Sequence, residues 1–254
     1  MKEILLPQKF SYTKTGTDQG RVVIEPCYPG YGLTIGNAIR RVLISSLPGA
    51  AVTAVKIKGV DHEFSSIPYV KEDVVDILLN IKLLRVQLFD AESSIITLKA
   101  KGEKKVTGQD IETKSDVKIV NPQLHLATLT DKSAELELEM TVENGLGYSP
   151  VETREKEKPE IGAIVIDAMF SPVKKVSFDI ENVRVEQMTN FDKLTLDIET
   201  DSTITPQAAF KKACQILLDH CHLLIDSVAE KKVKKADPKP KAEESEKGED
   251  KQKS

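Results

Sequence analysis

Gly30-Tyr31-Gly32-Leu33-Thr34-Ile35-Gly36-Asn37-Ala38-Ile39-Arg40-Arg41-Val42-Leu43-Ile44-Ser45-Ser46-Leu47-Pro48-Gly49 is the stretch whose reading decides the fold. Two glycines around an aromatic punctuate its start and Pro48-Gly49 closes it, which predicts a helix over residues 34–47. At 100° per residue, Ile35, Ala38, Ile39, Val42 and Leu43 share one apolar face. Asn37, Arg41 and Ile44 fall on the opposite side, and a polar face interrupted by an isoleucine reads as a docking surface. The glycines invite comparison with a phosphate-cradling loop, but Gly36 comes one residue too late for the dinucleotide fingerprint. The Gly-Lys-Ser/Thr ending of a P-loop is also missing, since Asn37 follows Gly36. The glycines are better assigned to a turn and to close backbone approach.

Working outward, a second helix is predicted from Thr205-Pro206, a capping residue followed by proline at the first helical position. Phe210, Cys214, Leu217, Cys221, Leu224 and Val228 follow at spacings that alternate four and three, a heptad-like seam widened by Ala213, Leu218 and Ile225. Such a stripe suits packing on the helix's own sheet or on a second helix, and the pattern leaves both open. A shorter helix is expected over residues 71–82, burying Val74, Leu78 and Ile81.

Most of the remainder alternates with a period of two. Ala134, Leu136, Leu138, Met140 and Val142 alternate with glutamates and a threonine, as do Leu194, Leu196 and Ile198 with polar neighbours. Shorter strands are expected at 22–25, 55–57, 86–89, 95–98, 117–120, 176–178 and 183–185. Runs of strands with few helices indicate an α+β fold rather than regular βαβ alternation. Residues 144–159, rich in Gly, Pro and charge, read as a long exposed loop. From about residue 230 the composition shifts to Lys, Glu, Pro and Ser, with too little apolar surface to offset ordering; residues 230–254 are expected to be a disordered tail.

The 254 residues are 40% hydrophobic and 30% charged, without tryptophan, so the core rests on Val, Ile and Leu. A net charge of −4 gives no reason to expect general affinity for nucleic acid, and only the lysines at 231–235 offer a weak local contact. No apolar run reaches the length of a membrane span, and no signal peptide opens the chain. Three cysteines without framework spacing suit a reducing compartment, so a cytoplasmic protein is expected. Catalytic chemistry finds little support. His62-Glu63 lacks the second histidine of a zinc motif, and an enzyme reading would have to use His62, Glu63 and the scattered Asp73. Cys214, His220, Cys221 and His222 are metal-ligand types that diverge around a helix, and the cysteines suit a core better. No catalytic residue, metal or cofactor is assigned.

The Gly30–Gly49 stretch resembles the bacterial RNA polymerase alpha-subunit family. Three further blocks stand in that family's order: Gly59-Val60-Asp61-His62-Glu63-Phe64-Ser65, Leu78-Leu79-Asn80-Ile81-Lys82, and Val185-Glu186-Gln187 with Asp192-Lys193-Leu194. The resemblance covers residues 1–229. It implies a dimerisation domain built from residues 1–48 and 172–229, with an inserted, mostly β domain at 49–171. It implies a non-catalytic homodimeric scaffold that binds the polymerase β and β′ subunits, with omega and sigma in the same assembly. By matching position, Arg41 is the expected β contact, with Arg40, Asn37 and Ile44 around it, and Lys82 with Asn80 the expected β′ contact. Ile35, Ile39, Phe210, Cys214, Leu217, Cys221 and Leu224 become the expected dimer interface. Family members usually continue into a C-terminal DNA-contacting domain. Here a Lys/Glu/Pro stretch runs to Ser254 instead, so no sequence-specific DNA binding is expected.

Overall fold

A computed structural model describes residues 4–60, 62–154 and 162–233, with side chains described as far as 228. In chain order, the first half runs β1 (Lys9–Lys14), β2 (Gln19–Cys27), α1 (Tyr31–Ser45), β3 (Pro48–Ile57), α2 (Val74–Lys82), β4 (Val86–Leu88), β5 (Ser93–Lys101) and β6 (Lys104–Thr107). It continues through β7 (Ile111–Glu112), β8 (Val117–Ile119), β9 (His125–Leu129), β10 (Glu135–Leu146), β11 (Tyr148–Ser149), α3 (Val151–Arg154), β12 (Ala163–Val165), β13 (Ala168–Met169), β14 (Val173–Val185), β15 (Met188–Thr200) and α4 (Pro206–Val233). The fold is α+β. Two compact units divide at Ile216/Leu217, within α4.

The first unit holds two main antiparallel sheets. One is four-stranded, in the order β1-β2-β15-β14, so strands from near both ends of the sequence pair: Val22 lies opposite Leu196 and Ile24 opposite Leu194. Their common face carries Val22, Leu194, Leu196 and Ile198, all buried. α1 packs on β14 and β15 across this face. The start of α4 covers the same face further along, where Phe10 meets Phe210 with ring centroids 5.8 Å apart. The opposite face is polar and includes the ion pairs Arg21–Asp197 and Lys193–Glu181.

The second sheet is seven-stranded, with path β7-β5-β10-β3-β4-β8 and β12 added against β3. The alternation that predicted β10 is realised here. Leu136, Leu138, Met140 and Val142 are buried with Ile96 and Leu98 from β5, Val52, Val55 and Ile57 from β3, and Ile77, Leu78 and Ile81 from α2.

Several expected boundaries move. α1 begins at Tyr31, three residues early, because Gly32 also belongs to the helix and lies with Gly36 on its buried face. α2 begins at Val74, because Asp73 caps it by accepting the Asp76 N–H at 3.1 Å. The loop expected at 144–159 is partly ordered: β10 extends to Leu146, and β11 and α3 follow. Gly145 permits that extension because the Phe170 ring fills the space of a side chain there. Residues 155–159 of that loop lie outside the described residues. α4 runs to Val233, past the expected start of the tail, and the rest of the tail lies outside the described residues.

Candidate functional site

α1 is held against its sheet by missing atoms as much as by present ones. A Cβ on Gly32 would stand 2.8 Å from the Asp192 Cβ, and one on Gly36 would stand 3.0 Å from Leu194 Cδ1 and 3.1 Å from Phe178 Cδ2. The helix axis can therefore come closer to β14 and β15 than any residue with a side chain would allow. Gly32, Gly36, Ile39 and Leu43, spaced four, three and four, form the buried line.

The N-terminus of α1 has no capping side chain of its own and no acidic residue in its first turn. Gly30 adopts φ 85°, a conformation open to glycine at little cost. The cap comes from across the sheet. Asp192, buried on β15, accepts hydrogen bonds at Oδ2 from the N–H groups of Gly30 (2.9 Å) and Gly32 (3.0 Å). A carboxylate at this end also meets the positive pole of the helix dipole. Burial and the Asp192 charge together push the neighbouring Cys27 thiol above its ordinary value.

Anchoring one face presents the other. Leu33, Asn37, Arg40, Arg41 and Ile44 are exposed along one side of α1. Leu33 is 52% and Ile44 43% exposed, so two apolar side chains bracket an asparagine and two arginines. Among the described residues no carboxylate pairs with Arg40 or Arg41, which leaves both guanidinium groups free to meet one bidentately. Leu33 escaped the sequence reading because the helix was expected to begin after it.

The other expected residues sit in different settings. Lys82, at the end of α2, pairs with Asp167 at 2.9 Å, each side chain about one-third exposed. Asp167 also accepts the Val151 N–H at 3.1 Å. The Lys82 hydrogen bond, reinforced by that N–H, holds the Asp167 carboxyl below the usual carboxylate range. Asn80 Nδ2 donates to the Leu126 carbonyl at 3.0 Å, which commits that amide within the chain. Ile39 is buried against its own sheet and Ile35 is half-buried, because α1 spends its apolar face there. In α4, Ala209 and Ala213 are buried and Phe210, Cys214 and Leu217 half-buried. Cys221 and Leu224 are exposed, as are Leu218, Leu223, Ile225 and Val228. Burial pushes the Cys214 thiol up, as suits a residue packed rather than reactive.

His62 is exposed and within 3.2 Å of the Ser65 hydroxyl, while Asp73 is occupied as a helix cap. Among the described residues no three His, Cys, Asp or Glu side chains gather to hold a metal. No described helix is long and apolar enough to cross a membrane.

Comparison with known proteins places these features in a family context. Residues 55–171 match the RNA polymerase Rpb3/RpoA insert domain. The DNA-directed RNA polymerase subunit alpha of Moorella thermoacetica is 50% identical over 206 residues, covering 81% of this chain and 66% of that protein. The subunit of the same name from Desulforudis audaxviator is 48% identical and that from Symbiobacterium thermophilum 49%, each over 81% of this chain and 65% of its own length. The chain thus spans just under two-thirds of the length of these relatives.

Proposed function

The chain belongs to the family of DNA-directed RNA polymerase alpha subunits, and on that premise we propose that it is a non-catalytic scaffold that dimerises and gathers the large polymerase subunits for transcription. The observation that carries this reading is the exposed side of α1. An anchored helix shows solvent two arginines, unpaired among the described residues, and an asparagine between two apolar side chains. Arg41 is the β-subunit contact, with Arg40, Asn37 and Ile44 as neighbours and Leu33 at the far end. Planar guanidinium groups suit carboxylates at a desolvated interface better than a lysine would.

The β′ subunit is assigned to the end of α2, through Lys82 and the neighbouring Asn80. Because Lys82 is already paired with Asp167, a partner there would share or replace that carboxylate. Residues 1–48 with 172–229 form the dimerisation domain, and 49–171 form the insert. The exposed apolar side chains of α4 from Leu218 to Val228 supply the self-association surface, with Cys221 and Leu224 on it. Omega and sigma belong to the same assembly. Chemistry at the polymerase active site belongs to the partners.

Arg41→Ala tests the reading. The variant is expected to keep the mass of a dimer, since Arg41 is exposed and makes no ion pair among the described residues, and to lose capture of purified β subunit. Undiminished capture by this variant would remove Arg41 from the interface.

A further inference from the structure

Two uncharged stretches meet at the C-terminal end of α1. Leu146-Gly147-Tyr148-Ser149-Pro150 and Ala168-Met169-Phe170-Ser171-Pro172 carry no charged side chain, in a chain that is 30% charged. β11 and β13 set Tyr148 directly opposite Met169. The Gly147 carbonyl accepts the N–H groups of Phe170 (2.8 Å) and Ser171 (3.2 Å), which ties the two stretches together. Both abut the last turn of α1. Ser171 Oγ donates to the Ile44 carbonyl at 3.1 Å, and a Cβ on Gly147 would stand 3.4 Å from the Ser45 carbonyl oxygen.

Phe170 turns inward and is buried, but its neighbours do not follow it. Leu146 is 60% exposed, Tyr148 57% and Met169 49%, beside Ile44 at the end of the α1 face. Contiguous exposed apolar side chains of this kind mark interaction surfaces, whereas scattered single ones need no explanation. The patch is held together by hydrogen bonds and strand pairing, and Ser171 and Gly147 tie it to the last turn of α1, the turn that carries Ile44.

We propose that the docking surface of α1 extends across Leu146, Tyr148 and Met169, so that one partner is gripped by the helix, the end of β10 and the β11–β13 pair together. Its occupant is the subunit that meets Arg41, through a segment that brings a carboxylate to the guanidinium and apolar side chains to the patch. The inference rests on the reading of α1 as the β-docking helix. It adds a second, apolar half to that surface, contributed by residues more than a hundred positions away in sequence.

The test uses the full chain as a dimer and purified β subunit. The double substitution Leu146→Gln with Met169→Gln is expected to weaken β binding about tenfold while the dimer mass is unchanged. Arg41→Ala is measured in parallel. Normal binding by the double variant, with binding lost by Arg41→Ala, overturns the extension and leaves the α1 reading in place. Normal binding by both variants overturns both. Loss of the dimer in the double variant would assign the patch to a second copy of the chain and also overturn the proposal. A photoreactive side chain at Met169 gives an answer independent of how the double variant folds. A cross-link to β supports the extension, and a cross-link to the second copy alone, or none, overturns it.

Discussion

The seven-stranded and four-stranded sheets are both antiparallel, yet they bury their surfaces by different means. The seven-stranded sheet fills its interior with large side chains from neighbouring strands, among them Ile96, Leu98, Leu136, Leu138 and Met140, and closes it with Ile77 and Ile81 of α2. The four-stranded sheet relies on close approach. Gly32 and Gly36 let α1 settle on Leu194 and Phe178, Pro206 of α4 packs where Gly20 leaves room, and Asp192 holds the end of α1. A core filled with bulky aliphatics is stabilised by the volume it packs. A layer built on missing side chains and a buried carboxylate fixes the position of its outer face. The surface that presents Arg41 belongs to the second kind.

The largest expected effect lies in the volume-filled sheet. Leu138→Ala removes a fully buried side chain at the centre of β10, flanked by β3 and β5, and is expected to cost about 2–5 kcal/mol. Urea unfolding of the purified protein measures it. A loss below about 1 kcal/mol would mean that the sheet collapses around the gap, and the contrast between the two layers would fail.

That contrast also explains which parts were legible in the sequence. β10 and β15 were visible because one face of each strand is buried and the other is not, and period-two alternation reports this. The exposed side of α1 was visible for the same reason at period 3.6, so Asn37, Arg41 and Ile44 were placed on it correctly. The start of α1 is not, because Gly32, beside Gly30, reads as a turn residue unless its phase with Gly36, Ile39 and Leu43 is noticed. β1 is not legible: Phe10 and Tyr12 alternate with polar residues on an edge strand, and that is a weak signal over six residues. Asp192 carries no sequence signal of its role. Its partners are the N–H groups of Gly30 and Gly32, some 160 residues away, and no local pattern reports such a contact. The setting of Lys82 was hidden too, since its counter-ion Asp167 lies 85 residues away.

The next effect tests the layer built on close approach. Asp192→Ala leaves the buried Gly32 N–H and the part-buried Gly30 N–H without their acceptor, a cost of about 1–3 kcal/mol. Hydrogen exchange should localise it: the amides of Gly30 and Gly32 lose protection, while those near Leu43 keep theirs. Asp192→Asn retains an acceptor and is expected to recover most of the loss. Uniform loss of protection along α1 would show that Asp192 supports the whole layer rather than anchoring one end of it.

The smallest effect concerns the tie between α2 and β13's flank, where Asp167 meets Lys82 and the Val151 N–H. The folded Asp167 carboxyl titrates below its ordinary value, so its contribution to stability is present above the ordinary carboxylate range. It is lost as pH falls through the depressed folded value. Both side chains are about one-third exposed, so solvent screening limits the pair to about 0.5 kcal/mol. Asp167→Asn should therefore be slightly less stable than the parent near neutral pH, and the difference should shrink as pH drops below about 4. No difference from the parent at any pH would assign the contribution to the hydrogen bond from Val151, which an asparagine oxygen can also accept. In that case Lys82 contributes nothing to the fold through Asp167, and its ammonium group is free to engage a partner without an internal competitor.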